Sequence, residues 1–363
     1  MKHRSQLVSG MGTGLLIRAD ASAATGLGHV LRCLALAQNW MDVGGRVFFL
    51  KNAGGESLDR RLREEGCHLL SLDAPPGGID DAHITASVAE DLEVSWIVLD
   101  GYEFGDHYQG SLRSRGLRVV AVDDYGHAVV WPADVVLNQN VNAREELYLR
   151  RDARARLLLG PMYALLRREF TGRVRTPRDV PKTAHRLLIT AGGSDPSDLT
   201  SLAMSALELS DDLGWEAVCL AGPTNPRYEH LVARARAMAF QIRVEKAATN
   251  IAPLMEWADL AISASGSTCY ESAFLGLPAL IVPVADNQTG IAAGLDAAGI
   301  GESMGPARSL TAERLAISLT ELAHAQERRA TMAERGRELV DGHGAERVVS
   351  MMMSLGRDSP PNV

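Results

Sequence analysis

Leu15-Leu16-Ile17-Arg18-Ala19-Asp20-Ala21-Ser22, followed by Gly26-Leu27-Gly28-His29 and Val30-Leu31-Arg32-Cys33-Leu34-Ala35-Leu36-Ala37, reads as a strand, a glycine turn and a helix. Leu15, Leu16 and Ile17 form a compact apolar run bounded by charge and small residues, which suits a fully buried strand of a parallel sheet. The residues after it are small, so backbone comes close to a ligand there. From His29 onward Leu31, Leu34, Ala35 and Gln38 recur at helical spacing, which puts His29 in the first turn of a helix. In open α/β sheets ligands bind beyond the carboxyl ends of the strands, so His29 is expected to look into that crevice. A helix N-terminus disfavours the imidazolium; the imidazole is therefore expected to be neutral at pH 7 and able to take a proton from water. The alternative is that His29 caps its own helix or packs under it.

The same strand-then-helix pattern continues along the chain. Candidate strands are 15–18, 46–50, 67–72, 96–100, 117–122 and 134–137, and then 186–190, 215–221, 241–244, 260–263 and 279–282. Such alternation predicts parallel sheets with right-handed crossovers, an α/β class of two doubly wound, Rossmann-like domains. Between the halves lies a polar, proline-punctuated stretch without period, read as a linker over 171–184. The expected domains are thus 14–170 and 185–340, facing each other across a cleft, with 341–363 a C-terminal helix and a disordered tail.

Composition excludes several classes. The 363 residues are 23% charged with a net charge of -8 and no basic tract, so nucleic acid is not expected as a partner. Ten histidines are scattered without metal-ligand spacing, and no metal or other cofactor is expected. The four cysteines, Cys33, Cys67, Cys219 and Cys269, stand far apart in apolar elements, as small core residues of a reduced, cytoplasmic protein do. Residues 1–13 lack the apolar core of a signal peptide, and no run is long enough to span a bilayer. A monomer or a homodimer fits these constraints.

A second chemical signal is Asp259-Leu-Ala-Ile-Ser-Ala-Ser-Gly266-Ser267-Thr268-Cys-Tyr-Glu271. A strand ends near Ser263, a turn of small residues follows, and a helix starts near Ser267. Backbone N–H groups of Gly266, Ser267 and Thr268, with two hydroxyls, would meet an anion such as a diphosphate. Glu271, one turn in, is placed to accept both hydroxyls of a ribose. A capping box would need Glu or Gln where Tyr270 stands. Asn287 and Gln288 end the next strand with amides, which read hydroxyl and acetamido groups. Gly192-Gly193-Ser194-Asp195 is a further glycine turn, functional or structural. Strand-end carboxylates and phenols occur at Asp100-Gly101-Tyr102 and Asp123-Asp124-Tyr125; Tyr102 is the better sugar-contacting candidate, since strand-end aspartates are often caps.

Competing motifs fail. Gly26 and Gly28 do not complete Gly-x-Gly-x-x-Gly, no P-loop occurs, and Gly-x-Ser-x-Gly is absent. The set that does occur resembles a known family. It comprises Arg18-x-Asp20-x-Ser22, Gly26-x-Gly28-His29 with Arg32-Cys33-Leu34, Val122-Asp-Asp-Tyr125, Leu137-Asn-Gln-Asn140, Leu159-Gly-Pro-Met-Tyr163, Ala191-Gly-Gly-Ser-Asp195, Ser265-Gly-Ser-Thr-Cys-Tyr-Glu271, Asp286-Asn-Gln288 and Leu339-Val-Asp-Gly342. Together these resemble the PseG family of UDP-sugar hydrolases in pseudaminic acid biosynthesis, and its spore-coat (SpsG-like) relatives, over nearly all residues after Gly14. Two departures stand out: Gly101 replaces a larger residue before Tyr102, and the first thirteen residues lie outside the pattern.

The resemblance implies a GT-B fold, similar to the transferase that adds N-acetylglucosamine to the peptidoglycan lipid precursor. It implies a C-terminal UDP-binding domain and an N-terminal domain for sugar-side chemistry. The implied reaction is hydrolysis of UDP-2,4-diacetamido-2,4,6-trideoxy-β-L-altropyranose, with His29 activating water. The substrate-binding candidates are Arg18, Asp20, Gly28, Tyr102, Gly193, Ser194, Gly266, Ser267, Thr268, Glu271, Asn287 and Gln288. The rival expectation is a UDP-sugar-dependent GT-B transferase acting on a polysaccharide or lipid acceptor.

Overall fold

The computed structural model describes residues 14–21, 26–52, 55–174, 176–210, 213–222, 225–246 and 250–357. The leader, Ser22 and the tail beyond Arg357, on which expectations were placed above, lie outside the described residues. The chain divides into two compact units. Unit 1 comprises residues 1–22, 29–168 and 343–363, and unit 2 comprises 23–28 and 169–342. The stretch 171–184 groups with unit 2.

Unit 1 is built on β1 (Gly14–Ala19), β2 (Arg46–Lys51), β3 (His68–Ser71), β4 (Val94–Asp100), β5 (Arg118–Val122), β6 (Val135–Asn138) and β7 (Arg156–Leu159). They form one parallel sheet in the order β3-β2-β1-β4-β5-β6-β7. All six residues of β1 are buried, as the uninterrupted apolar run requires of a central strand covered on both faces. Helices α1 (Gly28–Asp42), α2 (Glu56–Glu64), α3 (Ile79–Asp91) and α4 (Asp106–Ser114) make the crossovers, and the short α5 (Arg168–Thr171) lies at the boundary. One layer of core sets Leu16, Phe48, Ile97, Leu99, Val119 and Ala121 against Ala82, Ala86, Tyr108 and Leu112. Each fully buried leucine, isoleucine or valine there contributes about 1.5–3 kcal/mol.

Unit 2 repeats the plan with β8 (Arg186–Thr190), β9 (Glu216–Ala221), β10 (Gln241–Lys246), β11 (Leu260–Ala264), β12 (Ala279–Val282) and β13 (Glu302–Ser303). The order is β10-β9-β8-β11-β12-β13, again all parallel. Its helices are α6 (Leu199–Glu208), α7 (Tyr228–Ala237), α8 (Ala252–Trp257), α9 (Thr268–Phe274), α10 (Thr289–Ala297), α11 (Ala312–His324) and α12 (Gln326–Leu339). The last helix, α13 (Gly344–Arg357), returns to unit 1. There Arg347 donates to the Met162 carbonyl at 2.7 Å, while Val348, Val349 and Met352 are buried. A Cβ on Gly344 would overlap the Ala164 carbonyl, so this helix seats only because its first residue is glycine.

The expected strands are present to within two residues. Two more were not anticipated: β7, whose apolar run is three leucines long, and β13, which has only two residues. All four cysteines are buried and free, and burial pushes the thiols of Cys67, Cys219 and Cys269 up to about 12. Among the described residues no helix is long and apolar enough to cross a membrane.

Candidate functional site

In unit 1 the chain moves from β1 outward to β2 and β3, then restarts at β4 on the other side of β1. That reversal opens a crevice at the carboxyl ends of β1 and β4. Asp100 is the last residue of β4, Asp123 and Asp124 follow β5, and α1 starts shortly after β1. Arg32 stands three residues after His29 on α1, so both side chains share one helix face.

His29 is 8% exposed, and its Nδ1 lies 2.6 Å from Asp100 Oδ1. Arg32 donates Nε to Asp100 Oδ2 at 2.7 Å and Nη2 to Asp100 Oδ1 at 2.7 Å. The other edge of the guanidinium donates to Asp124, Nη1 to Oδ1 at 2.7 Å and Nη2 to Oδ2 at 3.1 Å. The Tyr102 hydroxyl and the Asn140 amide each donate to Asp124 at 2.8 Å. With Asp100 ionised, the neutral imidazole keeps its proton on Nδ1, which leaves Nε2 as a proton acceptor. Among the described residues Nε2 has no hydrogen-bond partner.

The electrostatics differ from the expectation drawn from the helix terminus alone. Burial pushes the imidazole pKa down, and Arg32 acts in the same direction. The Asp100 carboxylate, helped by Asp124, outweighs both and leaves His29 raised above its ordinary value. Burial alone would raise Asp100, yet Arg32 and His29 hold it well below the usual carboxylate range. One guanidinium against two carboxylates leaves a negative charge uncompensated, and an imidazolium cancels it. His29 is therefore a base that holds its proton more tightly than free histidine does.

Two expected substrate contacts of unit 1 are engaged inside the protein. Arg18 has no exposed surface: Nε and Nη2 donate to Asp81 at 3.0 and 2.9 Å, and Nη1 donates to Asp20 at 2.6 Å. Asp20 in turn accepts the Asn52 N–H at 2.7 Å, so both its oxygens serve the protein. These residues tie β1 to α3, and Arg18 itself has no surface to offer a ligand. Gly28 opens α1 directly before His29, and Tyr102 is in the ion cluster itself.

Unit 2 has its reversal between β8 and β11. After β11, Ser265-Gly266-Ser267 turns into α9, and Glu271 is buried one turn in. Ser267 and Thr268 have no hydrogen-bond partner for their N–H groups among the described residues, as an anion-binding turn requires. The Gly266 N–H differs from the expectation: it donates to the Ala264 carbonyl at 2.9 Å and is spent inside the turn. Gln288 also differs. Its Oε1 accepts from the Val284 N–H at 3.0 Å and the Ser265 hydroxyl at 3.3 Å, so that oxygen braces the turn instead of reading a sugar.

Asn287 lies beside it, half-buried. Gly193 and Ser194 are half-buried after β8, and the turn's carboxylate, Asp195, caps α6 through the N–H groups of Leu199 and Thr200 at 2.8 and 3.0 Å. A Cβ on Gly222, past the end of β9, would overlap the Gly193 carbonyl, so backbone packs on backbone at that edge.

Sequence reasoning selected His29 but not Asp100, Arg32 or Asp124 as its partners. The available signal was the i, i+3 spacing of His29 and Arg32 together with carboxylates ending two strands.

Comparison with known proteins agrees with this plan. Residues 187–346 match the glycosyltransferase family 28 C-terminal domain. The spore coat polysaccharide biosynthesis protein SpsG of Bacillus subtilis is 24% identical over 66% of this chain and 70% of its own length. The UDP-N-acetylglucosamine--N-acetylmuramyl-(pentapeptide) pyrophosphoryl-undecaprenol N-acetylglucosamine transferase of Pseudomonas fluorescens is 31% identical over 50% of this chain and 52% of its own length. The match to a further relative, from Methanocaldococcus jannaschii, is 26% identical and spans 55% of that protein, so the chain covers between 52% and 70% of the length of these curated relatives. Acinetobacter baumannii MurG superposes with a TM-score of 0.65 at 20% identity, covering 94% of this chain and 99% of that one. The chain thus has a GT-B fold of two Rossmann-like units, the second of which carries the match to the family 28 C-terminal domain.

Proposed function

We propose that the protein cleaves a UDP-linked amino sugar at the anomeric carbon, with unit 2 holding the nucleotide and unit 1 supplying the base. The observation that carries this reading is the His29–Asp100 pair, with Nε2 unpartnered among the described residues, at the reversal of the first sheet. Support for the nucleotide half comes from the N–H groups of Ser267 and Thr268, unpaired among the described residues, from the buried Glu271 and from the family 28 match.

In the step, neutral His29 takes a proton from water at Nε2 while the water oxygen bonds to the anomeric carbon. The bond from that carbon to the β-phosphate oxygen breaks, and its electron pair leaves with UDP. Asp100 holds the Nδ1 proton and stabilises the imidazolium that forms. A diphosphate departs without protonation, so no carboxylic acid is needed opposite the base; this separates the chemistry from two-carboxylate glycosidases. A single displacement inverts the anomeric configuration. Glu271 would accept the ribose hydroxyls, and the amides of Ser267 and Thr268 would stabilise the leaving diphosphate.

The substrate that the family resemblance favours is UDP-2,4-diacetamido-2,4,6-trideoxy-β-L-altropyranose, and the pathway that would use the reaction is then pseudaminic acid biosynthesis. The second reading is transfer of the sugar to an acceptor hydroxyl, which the same base would activate. The family 28 match and the transferase named among the relatives favour it. UDP release from a panel of UDP-diacetamido sugars, measured with no acceptor present, separates the two. Stoichiometric release with free sugar in the mass spectrum supports hydrolysis. Release only when an acceptor is added supports transfer, and binding without product under any condition removes both.

A further inference from the structure

Three rings stand beside the base, and the proton transfer described above employs none of them. The Tyr102 ring meets His29 edge-on, with centroids 5.2 Å apart and planes at 86°. Tyr125 lies 5.0 Å from Tyr102, and His127 lies 5.8 Å from Tyr102 and 6.3 Å from Tyr125. Buried carboxylates fix two of the three. Tyr102 donates to Asp124 at 2.8 Å, and His127 Nδ1 lies 2.7 Å from Asp123, which also accepts from Tyr148 at 2.6 Å.

Tyr125 is the exception. It is 41% exposed, and its hydroxyl has no hydrogen-bond partner among the described residues. An aromatic side chain set against two other rings, with about two-fifths of its surface left in water, gives the fold little and offers a ligand much.

We propose that Tyr125, backed by Tyr102 and His127, is the wall of the saccharide subsite, lying against the C–H-rich face of the hexose whose anomeric carbon His29 serves. The physical basis is the pairing of an apolar sugar face with the electron-rich face of a phenol ring. The free hydroxyl of Tyr125 is then available to a polar ring substituent, such as an acetamido oxygen. Sugars that present more carbon-bound hydrogen on that face, deoxygenated ones above all, gain most from it. This inference rests on the nucleotide-sugar reading and extends it to the part of the substrate that distinguishes one UDP-sugar from another.

The test compares UDP with UDP-N-acetylglucosamine as titrants, by calorimetry, for the full chain and for Tyr125→Ala and Tyr125→Phe. The expected result is that Tyr125→Ala weakens UDP-N-acetylglucosamine by about five- to tenfold, the size of an aromatic contact, and leaves UDP unchanged. Tyr125→Phe should keep most of the affinity, since the ring remains. Thermal melts identify a variant that has lost its fold, and if Tyr125→Ala is one, Tyr125→Leu replaces it, with UDP-N-acetylglucosamine again the only affinity to fall and Tyr125→Phe again close to the full chain.

Equal weakening of both titrants, or no weakening of either, overturns the wall while leaving the nucleotide site standing. Failure of the unaltered chain to bind UDP at all overturns the nucleotide-sugar reading, and the wall falls with it.

Discussion

The two sheets reverse direction at the same place in their topology, between β1 and β4 and between β8 and β11, and put opposite chemistry there. In unit 1 the crevice is lined by titratable and charged side chains in one cluster: the His29 imidazole with Arg32, Asp100 and Asp124, joined at 2.6 to 3.1 Å. In unit 2 it is lined by hydroxyls and backbone N–H groups at Ser267 and Thr268, with Glu271 behind them. A doubly wound sheet fixes where a site lies, and the residues at its strand ends decide whether that place moves protons or holds an anion.

If that division is correct, substitutions on the two sides should separate cleanly. His29→Ala has the largest expected effect: UDP release from the UDP-sugar falls by about 10²–10⁴ in kcat, the usual size of a general-base contribution, while UDP affinity measured by calorimetry is unchanged. Loss of UDP affinity in this variant would break the separation. Asp100→Asn comes next. It removes the charge that holds the Nδ1 proton and weakens two charged hydrogen bonds of Arg32, which keeps Asp124 as its counter-charge, so a fall of about 10²-fold in kcat is expected, with stability lowered by about 1.5–3 kcal/mol, the size of a hydrogen bond to a charged group.

On the other side, Glu271→Gln should weaken UDP by about tenfold or more, the cost of a charged hydrogen bond, without moving the pH profile of kcat. The smallest expected effect sharpens the comparison most. His29 must be neutral to act, and its pKa is raised, so kcat rises as pH climbs through that raised value. Asp124 contributes to the raising, and Asp124→Asn should therefore move the acid limb to lower pH; a limb that stays in place would remove Asp124 from the electrostatics of the base. The same linkage acts on stability. The extra stability from protonated His29 is fully present below about pH 6.5 and is lost as pH rises through the folded value, a slope that His29→Ala should flatten in melts across that range.

Much of the sheet was legible because central parallel strands must be apolar on both faces, and Leu15-Leu16-Ile17 or Trp96-Ile97-Val98-Leu99 permits few other readings. The edges were less so. β7 offers three leucines beside a proline turn, and β13 is too short to carry a pattern. His29 was legible from its glycine turn, but its partner lies 71 residues away, and sequence spacing carries no information about such a pair until the sheet brings β1 and β4 together. Arg18 shows the converse. The motif resemblance offers it as a ligand contact, and only Asp81, 63 residues on, reveals that its guanidinium is engaged inside the protein. Gln288 was legible only in part for a related reason: an amide oxygen serves backbone as readily as substrate.

The return of α13 to unit 1 bears on how the polypeptide matures during synthesis. The first unit has its seven strands by Leu159, yet the helix that buries Val348, Val349 and Met352 against it is translated only after all of unit 2. While the ribosome is still making the intervening segment, that apolar seat stays open to water and to other nascent chains. Release factors, and whatever chaperone waits at the exit tunnel, therefore meet a first unit still missing its closing piece, and a stop codon just past residue 342 should yield aggregates in place of a shorter enzyme.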